Sequence, residues 1–251
     1  MKVMSFNTRN KNDAGGHSIE ERAPRILQII NQEDPDLLGL QEYGVRMKGH
    51  IEKVLLEKYE MLEKTTNVNI SSPVLWKKDR FRCVDKGWFW LSPTPDTPSV
   101  SWDDRYQEER ICTWVILKDK QTEKSFVYMN THLGIGTECL QRSPEMIHTY
   151  SKKFFDLPII ITGDFNMRPD SVGYTVMMKC FTDANAVMAK DPHPTYHSYY
   201  AIPEERMGLI DYCFIKGKIR PDGYKTLAIT VDGKFPSDHH AIMAAVTLGY
   251  L

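Results

Sequence analysis

The stretch Leu157–Ser171 reads LPIIITGDFNMRPDS. Its β-branched apolar run suits a strand in a buried sheet, and it stops abruptly on Gly163, Asp164, Phe165 and Asn166. A carboxylate and an amide two residues apart thus end a strand that is otherwise apolar. Taken alone, Gly, Asp and Asn are turn residues, and the stretch reads equally as a strand followed by a loop. Partners elsewhere in the chain decide between the two readings.

Such partners recur. VMSFN ends an apolar run on Asn7, and LLGLQE ends on Gln41 and Glu42. VYMNTHL carries Asn130 and His132, GLIDYCF places Asp211 in an apolar strand, and FPSDHH sets Asp238, His239 and His240 before the last strand. Singly, each has a plain structural alternative. Asn7 and Asn130 read as caps, Glu42 as an exposed acid, and His132 as a hydrogen-bonded core histidine. Together they ask for more, because buried acids need cations or donors as partners. Asp, Asn, Glu and His at strand ends form the donor set of a hard-cation phosphate site, and Mg²⁺ prefers carboxylate and amide oxygens.

The bulk numbers bound the reading. A chain of 251 residues, 41% hydrophobic, can bury a large core, and the expectation is a single domain over residues 1–251. The net charge is -1 with no basic tail or stripe, which argues against tight, sequence-blind binding of long duplex nucleic acid. Five cysteines (Cys83, Cys112, Cys139, Cys180, Cys213) lack any CxxC spacing and read as reduced core residues. The N-terminus MKVMSFNTRN lacks the apolar core of a signal peptide, and no run approaches the ~18 apolar residues of a membrane span. The expected setting is soluble, reducing and cytoplasmic, or secreted or periplasmic if a leader has been lost.

Strand-like runs recur at KVMSF, DLLGL, SPVLW, CTWVIL, FVYMNTHL, PIIITG, IDYCFI, TLAITV and AIMAAVTL. Ile19, Ala23, Ile26, Leu27 and Ile30 share one helical face. Ser18 with Glu21 reads as a capping box, but Pro24 would then lie inside the helix, so the regular helix is expected from Pro24. A second helix is expected from Ser143–Pro144, with Met146, Ile147, Tyr150 and Phe154 buried. Many strands with a few outer helices point to a layered sandwich rather than a parallel nucleotide-binding sheet.

The ordered set SFN, LQE, NTHL, GDFN, IDY and SDHH, from Asn7 to His239, resembles the endonuclease/exonuclease/phosphatase superfamily, which includes deoxyribonuclease I, apurinic endonucleases, sphingomyelinases and inositol polyphosphate 5-phosphatases. No single piece is specific; the ordered set is. The resemblance implies an α/β fold of deoxyribonuclease I type: a four-layered α/β/β/α sandwich of two mixed sheets with outer helices, and a site at one rim. It also implies roles. Glu42 is the main Mg²⁺ ligand, with Mn²⁺ as substitute, Asn7 beside it and Asp238 as a further or water-mediated contact. His239 is the general base oriented by Asp211. Asp164 and Asn166 position the attacking water and bind a phosphate oxygen, and His132 contacts the phosphate or leaving group.

Arg110 is a candidate phosphate contact, since a guanidinium pairs well with phosphate oxygens; the alternative is a surface charge beside Glu108 and Glu109. His197, in PTYHSYY, resembles a segment of some bacterial members and is expected on the site wall. Strand alternation sends His240 away from His239. Trp88 and Trp90 are expected in the core; Trp102 and Tyr106 are expected at a substrate lip.

Two features depart from the apurinic endonuclease pattern: Arg9 stands where those enzymes carry an acid, and Ala241 follows SDHH in place of the Pro of many relatives. The expected activity is metal-dependent hydrolysis of a phosphodiester, with nucleic acid or a nucleotide-like ester as substrate. Phosphomonoester or phospholipid and inositol headgroup hydrolysis is the alternative. The chain is expected to act as a monomer.

Overall fold

The computed structural model describes residues 1–102, 107–188 and 193–249. Tyr106, expected at the substrate lip, lies outside the described residues. In chain order the strands are β1 (Lys2–Asn7), β2 (Leu37–Gln41), β3 (Tyr43–Gly44), β4 (Tyr59–Leu62), β5 (Ile70–Ser71), β6 (Val74–Lys77), β7 (Phe81–Trp90), β8 (Ile111–Asp119), β9 (Ser125–His132), β10 (Ile159–Asp164), β11 (Thr182–Asp183), β12 (Asp211–Lys216), β13 (Ile219–Leu227) and β14 (Ala241–Leu248). The helices are α1 (Ile19–Glu33), α2 (Val45–Lys58), α3 (Thr137–Ser151), α4 (Val172–Met178) and α5 (Ala184–Met188).

Two six-stranded sheets form, in the orders β13-β14-β1-β2-β6-β4 and β11-β12-β10-β9-β8-β7. Each contains one parallel pair, β1 with β2 and β9 with β10, among antiparallel neighbours. Three buried clusters give the layers. Val3, Leu37, Tyr128, Ile160, Cys213 and Ile242 pack between the sheets. Met4, Leu38, Ile26 and Ile51 join the first sheet to α1 and α2. Val127, Ile161, Ile147 and Met177 join the second sheet to α3 and α4. The architecture is α/β/β/α. The central strands read as apolar throughout because both their faces are covered.

Strand alternation grades the space between the sheets. On β10, Ile160 lies in the shared core, Thr162 binds Asn130, and Asp164 reaches the rim. The same order runs on β9 as Tyr128, Asn130 and His132, and on β1 as Val3, Ser5 and Asn7. The middle layer is a buried polar network. Gln41 Nε2 donates to Asn130 Oδ1 at 2.7 Å and Ser5 Oγ at 3.0 Å, and Asn130 Nδ2 donates to the Leu40 and Pro73 carbonyls. Gly39 is required there: a Cβ would lie 2.4 Å from both Asn130 Oδ1 and Thr162 Oγ1. Gln41 and Asn130 therefore join the sheets beneath the rim.

Both helix starts differ from expectation. α1 begins at Ile19, because Ser18 and Glu21 form a complete capping box, and Pro24 is tolerated inside. α3 begins at Thr137, with Ser143 and Pro144 buried in its interior. As a proline, Pro144 cannot donate to the Leu140 carbonyl. Gly173 of α4 packs on that oxygen, 2.1 Å from where a Cβ would stand. Of TLAITV only Thr226 and Leu227 are strand: β13 ends at Leu227 and starts earlier, through Pro221 and a bulge. Trp90 is buried as expected, but Trp88 on the edge strand β7 is 43% exposed, with the Lys64 ammonium 5.4 Å over its ring. Trp102, expected at a substrate lip, packs instead against the outer core of the second sheet. No described helix is long and apolar enough to cross a membrane.

Candidate active site

The topology gathers the polar strand ends at one rim. β1 and β2 are parallel, as are β9 and β10, so Asn7, Gln41, His132 and Asp164 end together within their sheets. β12 runs antiparallel and begins at Asp211, in register with Asp164, while β14 begins just after Asp238 and His239. A cleft of about 580 Å³ opens there, lined by Glu42, His132, Asp164, Asn166, Asp238 and His239 together with Arg9, Lys11, Arg110 and Tyr196.

Alternation alone would not put Glu42 in the cleft, since Gln41 before it already points between the sheets. The backbone turns left-handed at Glu42 (φ 51°), which re-aims the side chain. Arg9 (φ 57°) and Asn166 (φ 50°) do the same. Such conformations cost roughly 1–3 kcal/mol and concentrate at functional sites.

Asp164 is the hub. Its Oδ1 accepts the Asn166 backbone N–H at 2.9 Å, and its Oδ2 accepts Asn7 Nδ2 at 2.9 Å. The same Oδ2 lies 3.4 Å from His132 Nε2 and 3.7 Å from His239 Nε2. Burial, then the nearby Asp211 charge, pushes the Asp164 carboxyl up to about 7. Asp211 Oδ2 faces His239 Nδ1 at 2.9 Å. Burial alone would lower the His239 pKa, but Asp211, Asp164 and Asp238 outweigh it and hold the imidazolium well above its ordinary range. His132 is held well below that range by burial, Arg110 and His239, and so stays neutral. Asn166 Nδ2 donates to the Leu133 carbonyl at 2.8 Å and contacts His132 Nε2 at 3.1 Å.

The donor set suits a hard divalent cation. Glu42, Asp164, Asp211 and Asp238 are four carboxylates around one rim, and Asp211 Oδ1 is buried without a partner. Donor atoms of Asp164, Asp211 and His239 lie within 4.8 Å of one another, close enough to share an ion. Glu42 accepts hydrogen bonds from neutral donors, Asn7 Nδ2 at 3.3 Å and the Asn10 N–H at 2.9 Å, and feels the nearby Arg9 charge without a direct ion pair.

Not every expected residue reaches the cleft. Arg110 does, paired with Glu108. His197 does not: it is fully buried behind the site with neither ring nitrogen bonded, stacked 4.0 Å from His240 and 4.9 Å from Tyr200. The tight packing of these rings turns it inward. Trp102 is absent from the lining for the reason given above. Sequence reasoning passed over Tyr196, whose ring lies 5.1 Å from that of His239, and Lys11, and noted Arg9 only as a departure from the family pattern. Tyr196 adjoins the flagged His197, so the segment was visible but its facing was not. Arg22 carried no signal at all. It is fully buried and donates to the carbonyls of Thr8, Arg9, Lys11 and His17, clamping the loop that carries Arg9 and Lys11.

The family model described as Endonuclease/Exonuclease/phosphatase family matches residues 4–239. No curated protein matches the chain. Among solved structures, an endonuclease/exonuclease/phosphatase from Bacteroides vulgatus is similar at TM-score 0.90 and 26% identity, over 99% of this chain and 98% of that one. A mannosyl-6-phosphatase from Bacteroides thetaiotaomicron is similar at TM-score 0.88 and 26% identity, over 99% and 100%. D. rerio TDP2 complexed with a single-strand DNA product is similar at TM-score 0.78 and 16% identity, over 98% of each chain, which speaks to the fold alone.

Proposed function

Because this chain belongs to the endonuclease/exonuclease/phosphatase family, we propose that it hydrolyses a phosphate ester by in-line attack of water, with a divalent cation, Mg²⁺ or Mn²⁺, as cofactor. The row Asp211, His239, Asp164 carries the reading, with contacts of 2.9 Å and 3.7 Å opening on the cleft. His239 donates Nδ1–H to Asp211, which fixes the ring and leaves Nε2 toward Asp164. Asp164 and His239 titrate as a unit, and that unit, rather than either residue alone, is the general base for water. Asn166 orders Asp164 and His132. Neutral His132 contacts the phosphate or leaving group, and Arg110 exchanges Glu108 for a phosphate oxygen. Glu42 is the main metal ligand with Asn7 beside it. When bound, the cation neutralises charge on the phosphate oxygens. As part of this proposal the chain works as a single-domain monomer in the cytoplasm.

The alcohol part of the ester is a compact one. A cleft of about 580 Å³ is the size of a small-molecule site, and the mannosyl-6-phosphatase likeness at 26% identity makes a sugar phosphate the first candidate. Nucleic acid, the earlier expectation, becomes the other outcome of the test. Wild type, Glu42→Ala and His239→Ala are assayed with Mg²⁺ and Mn²⁺ on p-nitrophenyl phosphate, bis-p-nitrophenyl phosphate and hexose 6-phosphates. Metal-dependent monoester cleavage, lost in both variants, is expected. Preference for the diester overturns the compact-monoester reading, and activity surviving in both variants overturns the site.

A further inference from the structure

The rim of the second sheet has a direction. Its neighbouring strands β12, β10 and β9 carry Asp211, Asp164 and His132 in register, and Arg110 stands just before the next strand, β8. The base, Asp164 with His239, lies at one end of this line. In-line displacement puts the leaving oxygen across phosphorus from the attacking water. With the phosphate at His132 and Arg110, the alcohol therefore points toward the β8 end of the cleft.

That end has its own chemistry. Val68, Ile70 and Ile135 line it beside Glu108 and Arg110, and Ile70 also shares a small recess with Arg110 and His132. Val68 is 38% exposed and Ile135 43%, so apolar surface is held open to the cleft. Two hydrogen-bonded seams fix Glu108 between them. On the Val68 side, Asn67 donates its backbone N–H to Glu109 Oε2 at 2.8 Å and its Nδ2 to the Gln107 carbonyl at 3.0 Å, and Asn67 Oδ1 accepts the Glu109 N–H at 3.1 Å. On the Ile135 side, Ser101 donates its N–H to the Glu108 carbonyl at 3.0 Å, and Ser101 Oγ meets Cys139 Sγ of α3 at 3.1 Å. The Glu108 carboxylate itself pairs with Arg110. When Arg110 turns to a phosphate, that carboxylate needs new donors, because a half-buried charge is costly without them.

We infer that Glu108, Val68, Ile70 and Ile135 form the subsite for the alcohol, and that it takes a neutral ring carrying several hydroxyl groups. Glu108 accepts the hydroxyl hydrogens, and the three aliphatic side chains cover the C–H face of the ring. This rests on the monoester reading above. Glu108 is then a specificity-determining residue, released for that role by the phosphate that Arg110 binds.

The test compares two monoesters of primary alcohols on six-membered rings, mannose 6-phosphate with its hydroxyls and cyclohexylmethyl phosphate without them. Wild type with Mg²⁺ is expected to prefer mannose 6-phosphate in kcat/KM. Glu108→Ala loses about tenfold or more on that ester, chiefly in KM, and leaves cyclohexylmethyl phosphate nearly unchanged. Glu108→Gln, which keeps an acceptor, falls between. Val68→Ser combined with Ile135→Ser weakens both esters alike, by about threefold or more. A purely structural role for Glu108 would lower both esters together. An unchanged ratio in Glu108→Ala, a wild-type preference for the cyclohexylmethyl ester, or cleavage of p-nitrophenyl phosphate but of neither ring ester overturns the inference alone. No cleavage of any of the three overturns the monoester reading, and the inference with it.

Discussion

His239 sits between two carboxylates, and each contact has a separable consequence. Removing its side chain takes away one half of the base and the positive partner of Asp164 and Asp211. His239→Ala is expected to lose about 10²–10⁴ in kcat, with an unchanged far-ultraviolet circular dichroism spectrum. Wild-type-like turnover would remove the assignment. Asp211→Asn keeps the shape but turns an amide toward Nδ1, so the ring loses both its orientation and its strongest attractive charge. Because Asp211 acts only through the His239 ring, the Asp211→Asn, His239→Ala double variant should be scarcely slower than the slower single variant. Multiplicative losses in kcat would show that they act separately. At this scale the sequence was legible wherever a polar residue ended an apolar strand, as at Asn7 and Asp164, or began one, as at Asp211. It was illegible where a loop decides the facing. His197 and Tyr196 are neighbours, yet one is sealed behind the site and the other lines it.

The elements carry the site by meeting closely. Gly39 on β2 faces Asn130 on β9 and Thr162 on β10, and this contact sets the spacing of the sheets one layer beneath Asp164 and His132. Gly39→Ala would press a methyl group into two buried polar side chains. We expect a loss of about 1–3 kcal/mol, read as a lower urea midpoint, and a lower kcat because the rim shifts with its support. Unchanged stability would mean that the sheets part without cost. The central strands were legible because burial on both faces makes them apolar in sequence. Edge strands were not: β13 carries Pro221 and a polar outer face, and β4 and β7 alternate weakly. Helix starts were misplaced for a different reason. Proline favours a first turn on average, but Ser18 with Glu21 caps α1 earlier, and the α4 contact at Gly173 accommodates the carbonyl that Pro144 leaves free.

Across the whole molecule, the ring cluster behind the cleft ties folding to pH. His197 and His240 stack 4.0 Å apart with Phe235 and Tyr200, and the two rings share one buried space. Burial, then repulsion from the neighbouring imidazoles, pushes His197 down to about 3 and His240 down to about 4. The folded chain therefore leaves both neutral at pH 5, whereas the unfolded chain protonates them below about 6.5. Protons then bind the unfolded state more than the folded one, so stability is complete above pH 6.5 and falls as the pH drops toward 4. A single histidine held neutral over that interval contributes about 3 kcal/mol to the fall. His197→Phe keeps the aromatic stack and removes the proton acceptor, together with the ring's polar contact to the His239 backbone. Urea midpoints of the metal-free protein at pH 8 and pH 5 test this. The variant should match wild type at pH 8 and exceed it at pH 5. An equal difference at both values would mean that the His197 ring acts through packing alone, and that the pH response arises elsewhere.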